Sequence, residues 1–207
     1  KHDIHSPRKE SSNGFFKIPT AFVSLKVPGF RWFWLSSVAA YAAMQMMWIS
    51  QGFLIYERTG STIDLGLVMV AFGIPLGVLA PIGGVITDRL DKVKVITGAI
   101  IINIIMALYV GVIAALDSIS LSHILVSGAL SGTALAFNMP GRMALVRELV
   151  GPDMLLNAVS LNTGAMNLTR LVAPAIAGFI IVLFSQAGVF FVIAGLYFIA
   201  PITLLPI

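Results

Sequence analysis

The sequence predicts an all-α polytopic membrane protein that consists of six transmembrane helices. After Arg31 the chain contains six apolar stretches, and each has about the 20 residues that span a ~30 Å hydrocarbon layer at ~1.5 Å per residue. Backbone amides in lipid must be hydrogen-bonded within their own segment, so long apolar runs fold as helices. A hydrophobic content of 58% and a mean hydropathy of +0.97 also exceed what a water-soluble globule of 207 residues can cover with polar surface.

The predicted helices follow one another with mostly short loops between them. They occupy residues 32–55, 65–87, 95–116, 119–139, 165–184 and 188–205. Residues 1–30 are predicted to form a cytoplasmic N-terminal tail and, from Phe15, an interfacial segment in the lipid headgroup zone. Residues 31–207 form the bundle. Because the chain starts without Met and stops directly after the sixth stretch, a fragment of a longer protein and a natural half-size protein are both open.

The distribution of basic residues predicts the orientation in the membrane. Of the 13 Lys and Arg residues, 11 precede the first stretch or follow the second and the fourth. Arg58 alone lies on the opposite side, and Arg170 lies inside the fifth stretch. Under the positive-inside rule both termini and the second and fourth loops are cytoplasmic, in a plasma or inner membrane. The formal charge of +4 therefore reflects topology and does not indicate nucleic-acid binding.

Local signals predict two connections and one helix contact. Thr59-Gly60-Ser61 is typical of a turn followed by a helix start. Residues 140–162 mix apolar and polar residues, which predicts a cytoplasmic continuation of the fourth helix, a turn at Gly151-Pro152-Asp153, and an amphipathic start of the fifth helix. Gly128 and Gly132 supply small residues one turn apart, where two helices can approach closely.

Few residues inside the predicted helices carry chemistry. Gln45, Trp48 and Gln51 recur at i, i+3 and i+6, so they either line a substrate cavity or pack between helices. Arg170 is the only charged residue within a predicted helix, and insertion of such a charge costs ~2.5 to 3.5 kcal/mol. It either faces a polar cavity, where it favours an anionic or polar substrate group, or extends to the headgroups.

Several motifs together resemble one family of transporters. They are Tyr56-Glu57-Arg58-Thr59-Gly60-Ser61 before the second helix, Pro75 within it, Gly84-x-x-x-Asp88-Arg89-x-x-Lys92 after it, Pro140-Gly141-Arg142-Met143-Ala144, Leu156-Asn157-Ala158, and Arg170-Leu171-Val172-Ala173-Pro174-Ala175-Ile176-Ala177-Gly178 in the fifth helix. The combination is similar to the major facilitator superfamily, in particular its drug, macrolide and siderophore exporters. The resemblance implies that residues 31–207 are the N-terminal half, a 3+3 inverted repeat, of a twelve-helix transporter.

The resemblance also implies roles for individual residues. The implied inner gate consists of Gly84, Asp88, Arg89, Lys92 and Arg142. The implied helix-five motif consists of Arg170, Pro174 and Gly178. Asp88 and Arg142 lie at the same end of the second and fourth helices, so we expect them to form a switchable ion pair.

The sequence departs from the family pattern at four positions. The family usually has Gly at the position of Asp91 and a second basic residue at that of Val93, for which Lys94 is the available substitute. Ala173 and Ala177 replace two family glycines in the fifth helix. We therefore expect the tight bend of that helix to be relaxed.

The leading hypothesis is a secondary active exporter of small amphipathic molecules that works by alternating access. Its partners are membrane lipid, the substrate, and the missing C-terminal six-helix half or a second copy of the chain. Protons are an open choice of coupling ion, because the predicted helices contain no carboxylate. The alternative is an inert or homodimerising six-helix membrane module that does not transport on its own.

Other classes of protein are disfavoured by the sequence. There is no Gly-x-x-x-x-Gly-Lys-Ser/Thr phosphate loop, and the second loop is too short for the membrane domain of an ATP-driven transporter. The short loops supply neither a nucleophile, base and acid for an enzyme nor a ligand cluster for a metal. The chain has no Cys, which excludes disulfides and thiolate metal sites. We therefore expect no catalytic residues, no metal and no cofactor.

Overall fold

The computed structural model describes residues 20–207, and within that range the chain forms helices joined by short connections. A 3-10 helix, Thr20–Lys26, precedes five α-helices. The α-helices are α1 (Pro28–Thr59), α2 (Thr62–Arg89), α3 (Lys92–Ala115), α4 (Leu121–Leu183) and α5 (Gln186–Ile202). The predicted polar tail and the first part of the interfacial segment, residues 1–19, lie outside the described residues.

The six helices predicted from the sequence are found as five elements in the described range. Helices α1 to α4 are long and apolar enough to cross a membrane, and α5, with 17 residues, is a shorter apolar helix. The difference lies in α4, whose 63 residues contain both the fourth and the fifth predicted span. Gly151 within it has φ 68° and ψ 177°, a conformation that is essentially restricted to glycine. We call residues 121–150 the first arm of α4 and residues 152–183 its second arm.

The break at Gly151 and the end of α1 fall at the predicted turns. Gly60 ends α1 in a left-handed conformation, with φ 63°, and donates its N–H to the Tyr56 carbonyl oxygen. Ser61 then caps α2, because its hydroxyl oxygen accepts a hydrogen bond from the Asp64 N–H at 3.3 Å. The turn and helix start predicted from Thr59-Gly60-Ser61 are thus confirmed.

Helix α1 packs mainly against α4 and α5. Helix α3 packs against the same two helices, whereas α2 packs mainly against α4. In α2 only Gly83 and Thr87 are buried. The core is therefore built from the other helices, and its largest fully buried side chains include Phe30, Phe33, Met46, Leu54, Ile55, Ile96, Ile100, Val110, Ile124, Phe190 and Ile193.

A seam of glycines joins α2 to the first arm of α4. A Cβ added at Gly132 would overlap the carbonyl group of Phe72, and one added at Gly83 would overlap the carbonyl group of Ala136. Gly128 also lies against α2, at van der Waals distance. The close approach predicted at Gly128 and Gly132 is confirmed, and the helix that approaches them is α2.

The second arm of α4 contributes only a narrow stripe of small residues to the core. The stripe consists of Ala158, Ala165, Thr169, Ala173 and Ala177. The two alanines that replace family glycines therefore lie in this packed stripe. Elsewhere on the arm large apolar side chains such as Leu171, Phe179 and Val182 are exposed, as are Ile63 and Met69 on α2. Such surfaces suit contact with lipid or with further apolar helices.

Candidate substrate cavity and inner gate

Arg142 is the centre of a buried polar cluster between α1 and the first arm of α4. The residue is only 3% exposed. Its guanidinium donates from Nε to Asn138 Oδ1 at 2.8 Å, and from its two terminal nitrogens to Ser37 Oγ at 2.7 Å and Ser36 Oγ at 3.4 Å. Because these acceptors belong to two helices, Arg142 fastens α4 to α1.

Aromatic rings and neutral acceptors, rather than a carboxylate, surround the Arg142 charge. The guanidinium carbon lies 5.6 Å from the centre of the Phe33 ring and 5.8 Å from that of the Tyr41 ring, within the range of cation–π contacts. The Tyr41 hydroxyl accepts a hydrogen bond from Asn162 Nδ2 at 3.0 Å, which links the cluster to the second arm of α4. Within residues 20–207 no Asp or Glu pairs with Arg142.

The expected ion pair between Asp88 and Arg142 is not formed in this structure. Asp88 lies exposed at the end of α2, and it makes no ion pair or hydrogen bond with any described residue. Arg142 instead lies on the face of α4 that packs against α1, where the hydroxyl groups of Ser36 and Ser37 satisfy it. The matching positions of two charges along the chain gave no information about these neutral acceptors.

Lys92 pairs with Glu148 in the structure. Lys92 Nζ lies 2.7 Å from Glu148 Oε1, which joins the start of α3 to the end of the first arm of α4. Glu148 is the only acidic residue of that arm, a signal that could have identified it. Asp91, at a family glycine position, caps α3 by accepting hydrogen bonds from the N–H groups of Val93 at 3.0 Å and Lys94 at 3.3 Å.

The other residues of the implied gate lie at the surface of α2. Arg89 is exposed at its end. A Cβ built on Gly84 has no atom within 4 Å, whereas the neighbouring Gly83 makes the close contact with α4. Gly84 and Arg89 are therefore outside the contacts that hold the bundle together.

A cavity of about 30 Å³, room for one water molecule, lies within the bundle. It is lined by Met44, Met47, Trp48, Gln51, Phe72, Asn103, Ser131, Leu135 and Tyr197. The Trp48 and Phe72 rings meet edge to face, with 4.8 Å between their centres. Gln51 donates from Nε2 to Ser127 Oγ at 2.8 Å, and the Ser131 hydroxyl has no partner in the described part of the chain.

Trp48 and Gln51 of the predicted stripe on α1 line this cavity, whereas Gln45 does not. Residues three apart on a helix differ by about 60° in direction, so Gln45 and Gln51 point about 120° apart. Phe72 and Tyr197 were not predicted as lining residues. A tyrosine in the middle of the apolar α5 was the available signal.

The implied helix-five motif does not converge on the cavity or on the Arg142 cluster. Arg170 is exposed on the second arm of α4 and forms no ion pair or hydrogen bond with the residues that the structure describes. The helix continues through Pro174, and a Cβ built on Gly178 meets nothing within 4 Å. Arg170 and Gly178 therefore lie on the open side of the arm.

The chemistry available at these places is binding chemistry. Residues 20–207 contain no group of three or more His, Asp or Glu side chains that could hold a metal ion. The Arg142 cluster supplies hydrogen bonds between helices, the Lys92–Glu148 pair supplies a breakable ionic contact, and the cavity supplies aromatic and amide groups.

Comparison with known proteins places these features among transporters. Residues 19–206 match the family described as transmembrane secretion effector, of the major facilitator type. The chain is 26% identical over 152 residues to the uncharacterised MFS-type transporter YfiS of Bacillus subtilis. The matched region covers 72% of this chain and 34% of that protein. The chain is 25% identical over 178 residues to the staphyloferrin A transporter of Staphylococcus aureus. That match covers 86% of this chain and 45% of the transporter.

A third relative is macrolide efflux protein A of Streptococcus pyogenes, which is 25% identical over 141 residues and covers 68% of this chain. The match accounts for 34% of that protein. The chain therefore spans between about a third and a half of the length of the relatives it matches. By name these relatives are transporters or efflux proteins rather than enzymes.

Proposed function

Because the chain belongs to the transmembrane secretion effector family of the major facilitator superfamily, we propose that it is the N-terminal half of a secondary active exporter of small amphipathic molecules. The proposed substrates are of the drug, macrolide or siderophore type, as the names of the relatives in Staphylococcus aureus and Streptococcus pyogenes suggest. Transport would proceed by alternating access between two bundles.

The exposed apolar surfaces support the presence of a second bundle. Helix α2 buries only Gly83 and Thr87, and the second arm of α4 buries one stripe of small residues. We propose that the two arms of α4 and the short α5 cross the membrane separately, which gives six spans. A second bundle of six helices would cover the open faces and enclose a central cavity near the membrane midplane.

The aromatic cavity is the observation that carries the choice of substrate. Trp48 is 49% exposed and contacts Phe72, so this pair extends from the cavity to the surface of the bundle. Gln51 and Asn103 add amide groups to an otherwise mainly apolar wall. Such a wall suits a molecule with an apolar body and few polar groups. At about 30 Å³ the cavity is too small for such a molecule in this conformation, so we propose that it widens when substrate binds.

We propose that the inner gate lies at the ends of α2, α3 and the first arm of α4. Asp88 and Arg89 are exposed there, so a second bundle could reach them. Lys92 is held by an ionic contact that can break as the helices move. Arg142 keeps α1 and α4 together, so these helices would move as one body.

The proposed orientation places this gate and both termini in the cytoplasm, at a plasma or inner membrane. The basic residues that support this orientation lie near the start of α1, the end of α2 and the end of the first arm of α4. If protons drive transport, the coupling carboxylate is Asp88 or belongs to the second half, because the predicted spans of this chain carry none.

Reconstitution into liposomes tests the proposal. The chain joined to its C-terminal half should move rhodamine 6G across the bilayer against a gradient, and Trp48→Ala should raise the KM for the dye. The 207-residue chain alone should insert without transporting, and addition of the second half as a separate polypeptide should restore transport. Transport by the isolated chain would contradict the half-transporter proposal. A joined protein that moves neither dyes nor macrolides would contradict export and favour the inert membrane module.

A further inference from the structure

Three exposed polar residues lie in one line on the second arm of α4. Thr163, Asn167 and Arg170 are spaced at i, i+4 and i+7, and the structure leaves all three exposed. At 3.6 residues per turn their directions fall within about 60°, and they extend over about 10 Å along the helix axis. We call these three residues the polar strip.

Packing within the bundle does not explain the polar strip. The buried stripe of the arm consists of alanines and Thr169, and it lies on a neighbouring side of the helix. Large exposed apolar side chains such as Leu168 and Leu171 occupy other directions. None of the three side chains of the polar strip forms a hydrogen bond within the part of the chain that the structure describes.

The energetic cost of such a strip indicates a polar environment. A charged side chain inside an apolar span costs ~2.5 to 3.5 kcal/mol unless water or a partner solvates it. Extension of the long Arg170 side chain to the headgroups would relieve that cost on a lipid-facing surface, and Thr163, before the predicted span 165–184, and Asn167, two residues inside it, already lie near the headgroups. In the proposed transporter the strip would lie near the cytoplasmic mouth of the aqueous cavity between the two halves, where water solvates Arg170.

The charge of Arg170 indicates which kind of ligand the polar strip would bind. Arg142, the other cation of α4 near the predicted membrane region, is buried and already holds three acceptors. Arg170 is exposed, has no carboxylate partner in residues 20–207, and presents a planar fork of donors suited to a carboxylate or similar anion. Asn167 and Thr163 continue the row of donors, which a single headgroup phosphate is too small to occupy.

We propose that the polar strip binds an anionic group of the transported molecule, so that amphipathic anions are preferred over cations with the same ring system, with Arg170 as the main determinant of this preference. This rests on the proposed export function, and it adds a charge preference that the aromatic cavity does not supply. The ligand class is a small molecule with an apolar ring system and a carboxylate.

Two dyes with a shared ring system test the charge preference. Fluorescein is an anion and rhodamine 6G a cation at neutral pH, and both contain a xanthene. In the protein with both halves, Arg170→Gln should raise the KM for fluorescein about tenfold or more, as expected for loss of a charge-assisted hydrogen bond. The KM for rhodamine 6G should change less than about twofold. Arg170→Lys should retain most of the preference, and the exposed Arg147→Gln is the matched control of equal charge.

Equilibrium binding separates this inference from the export function. Fluorescence anisotropy of each dye with the purified protein in detergent reports binding without transport. If fluorescein binds in a way that depends on Arg170 but is not transported, the result would support the anion site and contradict the export function. Wild-type protein without preference for fluorescein would overturn the inference, as would an Arg170→Gln variant that weakens both dyes alike. Loss of fluorescein binding on addition of phosphatidylglycerol, with no such loss for phosphatidylcholine, would assign the strip to lipid headgroups and also overturn it.

Discussion

Arg142 shows how a buried charge can be held by neutral groups alone. Removal of a guanidinium from water costs several kcal/mol, and hydrogen bonds from a charged donor return ~1.5 to 3 kcal/mol each. The three bonds to Ser36, Ser37 and Asn138, with two aromatic faces nearby, are of the size needed to offset that cost. Arg142 is therefore a joint between helices in this conformation.

We expect Asp88→Asn and Arg142→Ala to act independently on stability. Arg142→Ala should lower the free energy of unfolding by about 2 kcal/mol or more, because three buried acceptors lose their donor. Asp88→Asn should leave it nearly unchanged, since Asp88 is exposed and unpaired among the described residues. The double variant should equal the sum within about 0.5 kcal/mol, as measured by thermal unfolding of the purified protein.

Lys92 and Glu148, in contrast, form an ion pair, so we expect their substitutions to be coupled. Lys92→Glu and Glu148→Lys should each impair transport by the joined protein, and the charge-swapped double variant should recover it. The coupling should weaken as salt is raised, because the pair is partly exposed. A clear non-additive stability effect between Asp88 and Arg142 would show that they meet in a populated conformation and would contradict the independence expected here.

For single residues, the sequence identified several members of the candidate site but not the groups that they contact. The family resemblance pointed to Lys92 and Arg142, and helical spacing pointed to Trp48 and Gln51. They did not identify the acceptors of Arg142, because serines in an apolar helix are common and carry no charge pattern. The partner of a buried cation is fixed by helix packing, which depends on all the side chains at the contact.

Among the contacts between helices, the glycine seam between α2 and α4 is the most sensitive to the size of a substituted side chain. Gly83→Ala and Gly132→Ala should each destabilise the protein by about 1 to 3 kcal/mol, because the new methyl group overlaps a backbone carbonyl on the facing helix. Gly77→Ala in α2 is the matched control, since nothing lies within 4 Å of its added Cβ. It should be neutral or slightly stabilising in thermal unfolding.

A disulfide can report the same seam directly. A Cβ built on Gly128 lies 3.9 Å from the Ala71 Cβ, close to the mean separation of about 3.8 Å in disulfides. Ala71→Cys with Gly128→Cys should therefore cross-link on oxidation, and Gly132→Ala should reduce the yield. Equal yields with and without Gly132→Ala, together with unchanged melting of the Gly83 variant, would mean that α2 does not rest on α4 as described.

The sequence predicted which segments are helical better than it predicted how many separate helices they form. Apolar runs mark the segments that prefer lipid, but a helix does not end where the run ends. Residues 140–150 were predicted to continue the fourth helix, and they do so with Leu145, Val146 and Val150 buried in the core. Helix α4 breaks only at Gly151, where the backbone adopts a conformation that other residues avoid.

Across the whole molecule, the asymmetry of basic residues predicts which ends can be reached from outside the cell. A single Cys at Ser118 or Ser61 should react with an impermeant thiol reagent on intact cells. A Cys at Asp153 or Lys92 should react only after permeabilisation. The chain has no native Cys, so the unmodified protein is the background control. The reverse labelling pattern would overturn the proposed orientation.

The overall organisation was predictable from composition, charge and motifs, but the neighbours of each helix were not. The sequence predicts membrane helices and their connections because hydropathy and turn residues act locally. It does not reveal that α2 rests almost entirely on α4, because the glycines and carbonyls at that seam lie far apart in the chain. Long-range packing of this kind follows from the combined shape of two surfaces.

The sparse packing of α2 has a consequence for biosynthesis. Helix α2 touches α1 and α3 only lightly, and its main partner residue Gly132 is made 43 residues after Arg89. At ~5–20 residues per second, the ribosome needs about 2 to 9 s to synthesise the chain as far as that partner. During this interval α2 is stabilised by lipid and by its own backbone hydrogen bonds, with a mean hydropathy of 2.3 in its most apolar window. Insertion of α2 therefore precedes and does not depend on assembly, and its docking must wait for synthesis of the first arm of α4.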